Sequence, residues 1–167
     1  GESPEFDMLE AYVRHNRSTI KSVTAPYFHQ GVAEVRLLLA EAAVRGWDGG
    51  SAATYFAEGL AGGVAQVQLY DNAAIDQAVA DEFVANNPLD ESSTEASLEQ
   101  IGTQIWVSTY MDAMEAFASW RRTGYPNLPV AIDPYINEIP SRLRYPVIEQ
   151  SLNAANYNDA ASAMGGD

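Results

Sequence analysis

Few residues in this 167-residue chain are of types that could carry out chemistry, and their spacing limits what each can do. The two histidines, His15 and His29, both fall in the leading segment with no partner at helical spacing. A metal site or a nucleophile–base–acid triad needs a third group, and the pattern supplies none. The expectation is therefore no metal and no cofactor. Cysteine is absent, which excludes disulfides, thiol catalysis and thiolate zinc sites within these residues. Among 23 acidic residues, Asp112 and Glu115 form the best local pair, one helical turn apart. Two facing carboxyl groups are what glycoside hydrolysis requires, although the same spacing arises on any solvated helix face. No EF-hand loop, P-loop or G-x-S-x-G motif is present. Asn16-Arg17-Ser18 matches the N-glycosylation acceptor pattern, which carries weight only in a eukaryotic secretory setting.

The aromatic residues offer a different chemistry. The chain has 9 tyrosines and 3 tryptophans, and the C–H face of a sugar stacks well on such rings. Tyr125, Tyr135 and Tyr145 lie in a proline-rich stretch and are the candidate ligand-binding residues. Trp106, Phe117 and Trp120 recur at helix-core spacing and read as core, while Trp47 reads as folding back on a helix end. Arg121, Arg122, Arg142 and Arg144 read as ties between helix and strap through carboxylates. The net charge of −14 argues against nucleic acid or an anionic membrane surface, both of which need a basic face. It is compatible with neutral sugars, with cations, or with solubility alone. No apolar run approaches the ~20 residues that span a bilayer, and no signal-peptide pattern opens the sequence.

The elements that position these residues follow from periodicity. With 47% hydrophobic residues the chain can bury one core, and abundant alanine points to a mainly α protein of one domain. Residues 1–30 form a leading segment. Its first six residues read as a fragment's frayed start or an appended remnant, and Leu9, Tyr12 and Val13 suit a short helix or a strand. Residues 16–28 read as extended because Thr19, Ile20, Val23 and Thr24 are β-branched and Pro26 disfavours helix before it. A first helix is expected from Val32 to Arg45, burying Val32, Val35, Leu38, Leu39 and Ala42 and turning Arg36 and Arg45 outward, with Gly46 as its cap. Ser51 caps a second helix carrying Tyr55, Phe56, Leu60, Val64 and Val67, and the two make an αα-hairpin. Gly59, Gly62 and Gly63 predict a kink or a close helix approach there. A third helix, Ala74 to Asn86, is capped by Asp71 or Asn72, buries Ile75, Ala78, Val79 and Phe83, and ends at Asn87-Pro88. The fourth begins near Thr94 or Ser97. It reads as one spine through Ile105, Trp106, Tyr110, Ala113, Met114, Phe117 and Trp120 to Gly124 and Pro126. Five prolines between Pro126 and Pro146 then predict an extended strap. A short helix from Val147 to Leu152 follows, and Asn156 caps a last one ended by Gly165-Gly166.

The order of these motifs resembles the SusD/RagB-like family. VAEVRLLLAEAAVRGW followed by SAATYFAEGLAGGV is similar to its paired helices, with Gly-rich wording at Leu60–Val64. More specific are Gln104 and Trp106, then EAFASWRRTGYP, IPSRLRYP, SLNAANY and the terminal GGD, in the family's order and spacing. The resemblance covers about residues 26–167. It implies an all-α fold of tetratricopeptide-like hairpins, with residues 31–167 as the C-terminal helical portion of a longer SusD-like domain. It also implies non-catalytic glycan binding at the outer-membrane surface, a SusC-like TonB-dependent transporter as partner, and a lipid anchor outside this stretch. A tetratricopeptide-like protein–protein adaptor and an all-α glycoside hydrolase are the alternatives. The adaptor predicts a second hairpin at about a 34-residue period, and none is found here.

Overall fold

The computed structural model describes residues 19–130, 139–140 and 142–165. His15, the Asn16-Arg17-Ser18 motif, Leu9, Tyr12, Val13, Tyr135 and Gly166 lie outside the described residues. Those described contain seven α-helices and no strand: α1 Val32–Val44, α2 Ala52–Val67, α3 Gln77–Asn86, α4 Thr94–Ser108, α5 Ala113–Thr123, α6 Val147–Leu152 and α7 Ala154–Ala163. The chain divides into two compact units, residues 1–127 and 128–167. The first holds α1 to α5 and the second α6 and α7.

In the first unit α1 packs most extensively on α2 and then on α4, with α3 against α2 and α5 against α4. The core is Leu37, Ala40, Phe56, Leu60, Leu89, Ile101 and Ile105, edged by Val44, Tyr55 and Val84. The α1–α2 hairpin forms as expected. Gly46 takes a left-handed conformation at φ 73°. Its N–H donates to the Ala43 carbonyl at 3.0 Å and that of Trp47 to the Ala42 carbonyl at 2.8 Å, the two bonds of a Schellman stop. Ser51 then accepts from the Thr54 N–H at 3.2 Å to start α2.

The buried face of α1 differs from the expected one. Val32, Val35 and Leu38 are exposed, and Ala33, Glu34, Leu37, Ala40 and Glu41 are buried. The glycines of α2 explain the choice. A Cβ at Gly62 would lie 3.0 Å from the Ala33 nitrogen, and one at Gly59 would lie 2.8 Å from the Leu37 side chain. Helices this close need small residues opposite, so the Ala33–Leu37–Ala40 stripe faces α2, and the close-approach reading holds over the kink. The sequence of α1 is apolar nearly all round, so periodicity alone could not select the face.

Three other expectations need correction. Residues 19–25 make successive turns, with Ser22 N–H donating to Thr19 and Ala25 N–H to Ser22, each at 3.1 Å, because Ser and Thr hydroxyls here compete for local backbone groups. α3 starts later, capped by Asp76, which accepts from Ala78 N–H at 2.8 Å, and it turns Ala80 inward while Val79 and Phe83 stay exposed. The fourth helix is broken in two. Thr109 closes α4 by donating its hydroxyl to the Ile105 carbonyl at 2.9 Å, and Asp112 opens α5 by accepting from Glu115 N–H at 3.2 Å. Asp-x-x-Glu at 112–115 is a start signal for a new helix. As a result Tyr110, Met114 and Phe117 are exposed, so the core reading of Phe117 fails, while Trp106 and Trp120 are half-buried.

The second unit has no buried residue on α6 or α7. α6 spans its expected limits, and α7 begins at Ala154 with Asn153, not Asn156, in the capping position. Gly165 ends it at φ 84°. Between α5 and α6 the described residues have no regular structure.

Candidate functional site

Two concavities stand out, one in each unit. The larger, about 470 Å³, is bounded by the leading segment, α1, α2, α3 and the α4–α5 turn. Phe28, Leu60, Val64, Phe83, Val107 and Met111 make its walls mostly apolar. Gly59 and Gly63 of α2 also line it, where α2 approaches α1 closely. Phe28 is held edge-on to Tyr70 with ring centroids 5.6 Å apart. One carboxyl group, Glu34, lines this space while only 8% exposed.

Glu34 and Glu41 lie seven residues apart on α1, two turns along one face. Glu41 receives a two-pronged ion pair from Arg122 of α5, at 2.5 and 2.7 Å, and a third bond from Arg45 at 2.9 Å. Burial pushes its carboxyl up, but the hydrogen bonds from Arg122 and Arg45 outweigh burial and hold it below the ordinary range. Glu34 has the Gln30 amide, at 3.5 Å, and the Gly31 backbone, and among the described residues no ion pair. Burial, aided by the negative charges of Glu115 and Asp112, pushes it up. Arg122 therefore ties α5 to α1, not the helix to the strap. Arg121 instead lies over Phe117 at 5.7 Å, and Phe117 stacks on Trp120 at 6.0 Å. Sequence reading missed both glutamates because each sits in an Ala/Leu/Glu helix where acids are expected at the surface.

The smaller cleft, about 210 Å³, lies between α6 and α7 and is lined by Tyr145, Glu149, Asn153, Asn156, Tyr157 and Ala160. Tyr145 meets Tyr157 edge-to-face at 6.0 Å and carries the Arg142 guanidinium over its ring at 5.4 Å. Gln150 donates to the Tyr157 hydroxyl at 3.0 Å. An aromatic ring set among amides and a carboxylate matches the needs of a sugar, which stacks its C–H face and hydrogen-bonds its hydroxyls.

The candidate tyrosines have different settings. Tyr125 is half-buried against α4, where a Cβ at Gly102 would lie 2.8 Å from its own Cβ, and its hydroxyl donates to Glu95. That hydrogen bond raises the phenol's pKa. Tyr145 lines the smaller cleft, and Tyr135 lies outside the described residues. Trp47 is exposed, with the Arg45 guanidinium 5.4 Å above it, so only its backbone folds back on the helix. Asp112 serves as a helix cap, which accounts for its position without a catalytic role. Among the described residues no cluster of three or more His, Cys, Asp or Glu could hold a metal, and no helix is long and apolar enough to cross a membrane.

Comparison with known proteins places this architecture. A chitin-binding protein of known structure is 40% identical at TM-score 0.66, over 81% of this chain and 30% of that one. A SusD-like protein of Bacteroidetes is 31% identical at TM-score 0.66, over 80% and 27%. A SusD homolog from Bacteroides fragilis NCTC 9343 is 28% identical at TM-score 0.64, over 81% and 32%. The chain thus spans about a third or less of the length of these relatives. No curated protein gave a significant match. Residues 2–146 match the family described as starch-binding and associating with the outer membrane, and the chain belongs to this SusD-like family.

Proposed function

We propose that residues 31–167 are the C-terminal helical portion of a non-catalytic, glycan-binding lipoprotein at the outer-membrane surface. It serves nutrient uptake together with a SusC-like TonB-dependent transporter. The family match over residues 2–146 carries this reading. The chitin-binding relative supports an oligosaccharide as ligand, and the Tyr145 cleft offers this chain's own contribution to it. Within that cleft Tyr145 would supply the stacking face, with Glu149, Asn153 and Asn156 accepting and donating to sugar hydroxyls.

Calorimetric titration of the chain with chitin and starch oligosaccharides tests the proposal. Saturable binding without release of shorter sugars is expected. Tyr145→Ala should weaken it about five-fold, the loss of one stacking contact of about 1 kcal/mol. Tyr125→Phe should leave binding unchanged, since its hydroxyl is already engaged by Glu95. Hydrolysis of the oligosaccharide would favour the glycosidase alternative, and binding of a protein but no sugar would favour the adaptor.

A further inference from the structure

Glu149, Asn153, Asn156 and Ala160 recur at helical spacing, so one stripe continues across the break between α6 and α7. All of them line the smaller cleft, together with Tyr145 and Tyr157. Along that stripe the side chains are bonded in one direction. Asn156 donates its amide to the Asn153 side-chain oxygen at 2.7 Å, and Asn153 donates its own amide to Glu149 Oε2 at 3.0 Å. The relay ends on a half-buried carboxylate that is in no ion pair among the described residues. Of the described residues that line the cleft, Glu149 alone is charged.

We propose that this cleft selects sugars bearing a free amine, and that Glu149 is the residue that sets the preference. The ligand class is then a glucosamine-containing, deacetylated oligosaccharide, ahead of its N-acetylated, neutral or uronate counterparts. The proposal rests on the glycan reading of the Tyr145 cleft and adds the charge of the sugar to it.

The preference follows from what a carboxylate can accept. Of about four lone-pair positions on Glu149, the relay fills one. The ammonium at C2 of glucosamine brings a positive charge, donates from every N–H and accepts nothing, so it matches the acceptors that are left. A hydroxyl in the same place donates once and carries no charge. An acetamido group donates once but also brings a carbonyl oxygen, which repels the carboxylate. A uronate sets a second negative charge beside Glu149. Arg142, the cation beside the cleft, is occupied elsewhere: its guanidinium lies over the Tyr145 ring at 5.4 Å and donates to the Leu143 carbonyl at 3.1 Å. Asn153 is a positioning residue, since it fixes the direction in which Glu149 presents its oxygens.

Calorimetric titration of the 167-residue chain with matched β-1,4-linked tetrasaccharides tests the proposal. They are the glucosamine, N-acetylglucosamine, glucose and glucuronate tetramers, in a mildly acidic buffer that keeps the amine protonated. The glucosamine tetramer should bind about ten-fold more tightly than the glucose and N-acetylglucosamine tetramers, and the glucuronate tetramer about five-fold more weakly than these. Tetralysine, equal in side-chain charge but without a sugar ring, should bind about ten-fold more weakly than the glucosamine tetramer. Glu149→Gln should cut the preference for amine over hydroxyl about five-fold, and Glu149→Asp should keep part of it. Glu82→Gln on α3 removes one exposed charge far along the sequence and should leave the preference unchanged. The ranking measured on the unaltered chain decides the proposal even where a variant fails to fold. Equal binding of the amine and hydroxyl tetramers, or tightest binding of the uronate, overturns it. So does a preference that survives Glu149→Gln or falls as far in Glu82→Gln, or tetralysine binding as tight as the glucosamine tetramer. The glycan reading stands through all of these as long as the neutral tetramers bind; binding of no tetrasaccharide overturns both.

Discussion

The two ends of α1 meet the same problem differently. Glu41 and Glu34 lie on one face of one helix, both withdrawn from water, but among the described residues only Glu41 has an ion pair. Its partner comes from 81 residues further along the chain, through the two parallel bonds that a guanidinium makes with a carboxylate. Glu34 faces an open groove and two more acids. A buried carboxylate next to a cation fixes where another helix packs, and Glu34 has only uncharged partners, Gln30 and the Gly31 backbone, among the described residues. The largest predicted effect follows directly. Arg122→Met should remove about 2–3 kcal/mol of stability in urea denaturation at pH 7. That is below the full figure for a buried pair because Arg122 is itself partly solvated. Arg122→Lys should recover less than half, since one ammonium cannot reproduce the fork.

A double-mutant cycle sharpens the contrast. Glu41→Gln in the Arg122→Met background should restore about 1–2 kcal/mol, because most of the loss is a buried charge left with Arg45 alone and not the missing contact. If the two losses simply add, the ion pair is not what holds α5 on α1.

The same contrast shows what could be read from the sequence. Helix stops were legible wherever a single residue decides the backbone: Gly46 and Gly124 both take left-handed φ, 73° and 78°. Ser51 likewise sits where its capping chemistry places it. The face of α1 was not legible, because Val32, Ala33, Leu37 and Leu38 are all apolar and the glycines of α2 make the choice. The split of the long spine was written in Asp112 and Glu115, which read as a solvated face of one continuous helix, with a catalytic pair as the lesser reading, until Asp112 proved to cap α5. The Glu41–Arg122 pair was invisible for a different reason. Its members are 81 residues apart, and no local pattern links them. Of the candidate site, Tyr145 was named a candidate from its proline-rich context, and it lines the smaller cleft. The asparagines around it come from helices that pattern alone showed only as polar.

A smaller and opposite effect is expected at Glu34. Its carboxyl is pushed above the ordinary value of 4.5, so the folded chain binds a proton more tightly than the unfolded one. Stability should then fall as pH rises from 4.5 through the raised value. Glu41, held below 4.5, contributes stability that is present above that value and is lost as pH falls through its folded value. Glu34→Gln should flatten the upper decline and raise stability at pH 7 by up to about 1 kcal/mol. Glu41→Gln should flatten the acid limb instead. A pH–stability profile from thermal melts separates the two, and identical profiles for both variants would erase the distinction between the ends of α1.

Arg45 gives the smallest effect and the finest test. It reaches Glu41 from one turn away on the same helix, with a single bond at 2.9 Å and a side chain about one-third exposed. Arg45→Met keeps the apolar stem and loses about 0.5 kcal/mol, the scale of an i, i+4 pair with some added burial. It also removes the cation from above Trp47, which is exposed and gains little from it. High salt should shrink both contributions, since the Arg45 and Arg122 side chains are 32% and 46% exposed. A loss at Arg45 as large as at Arg122 would mean that Glu41 needs only a nearby positive charge, not a cation delivered by another helix.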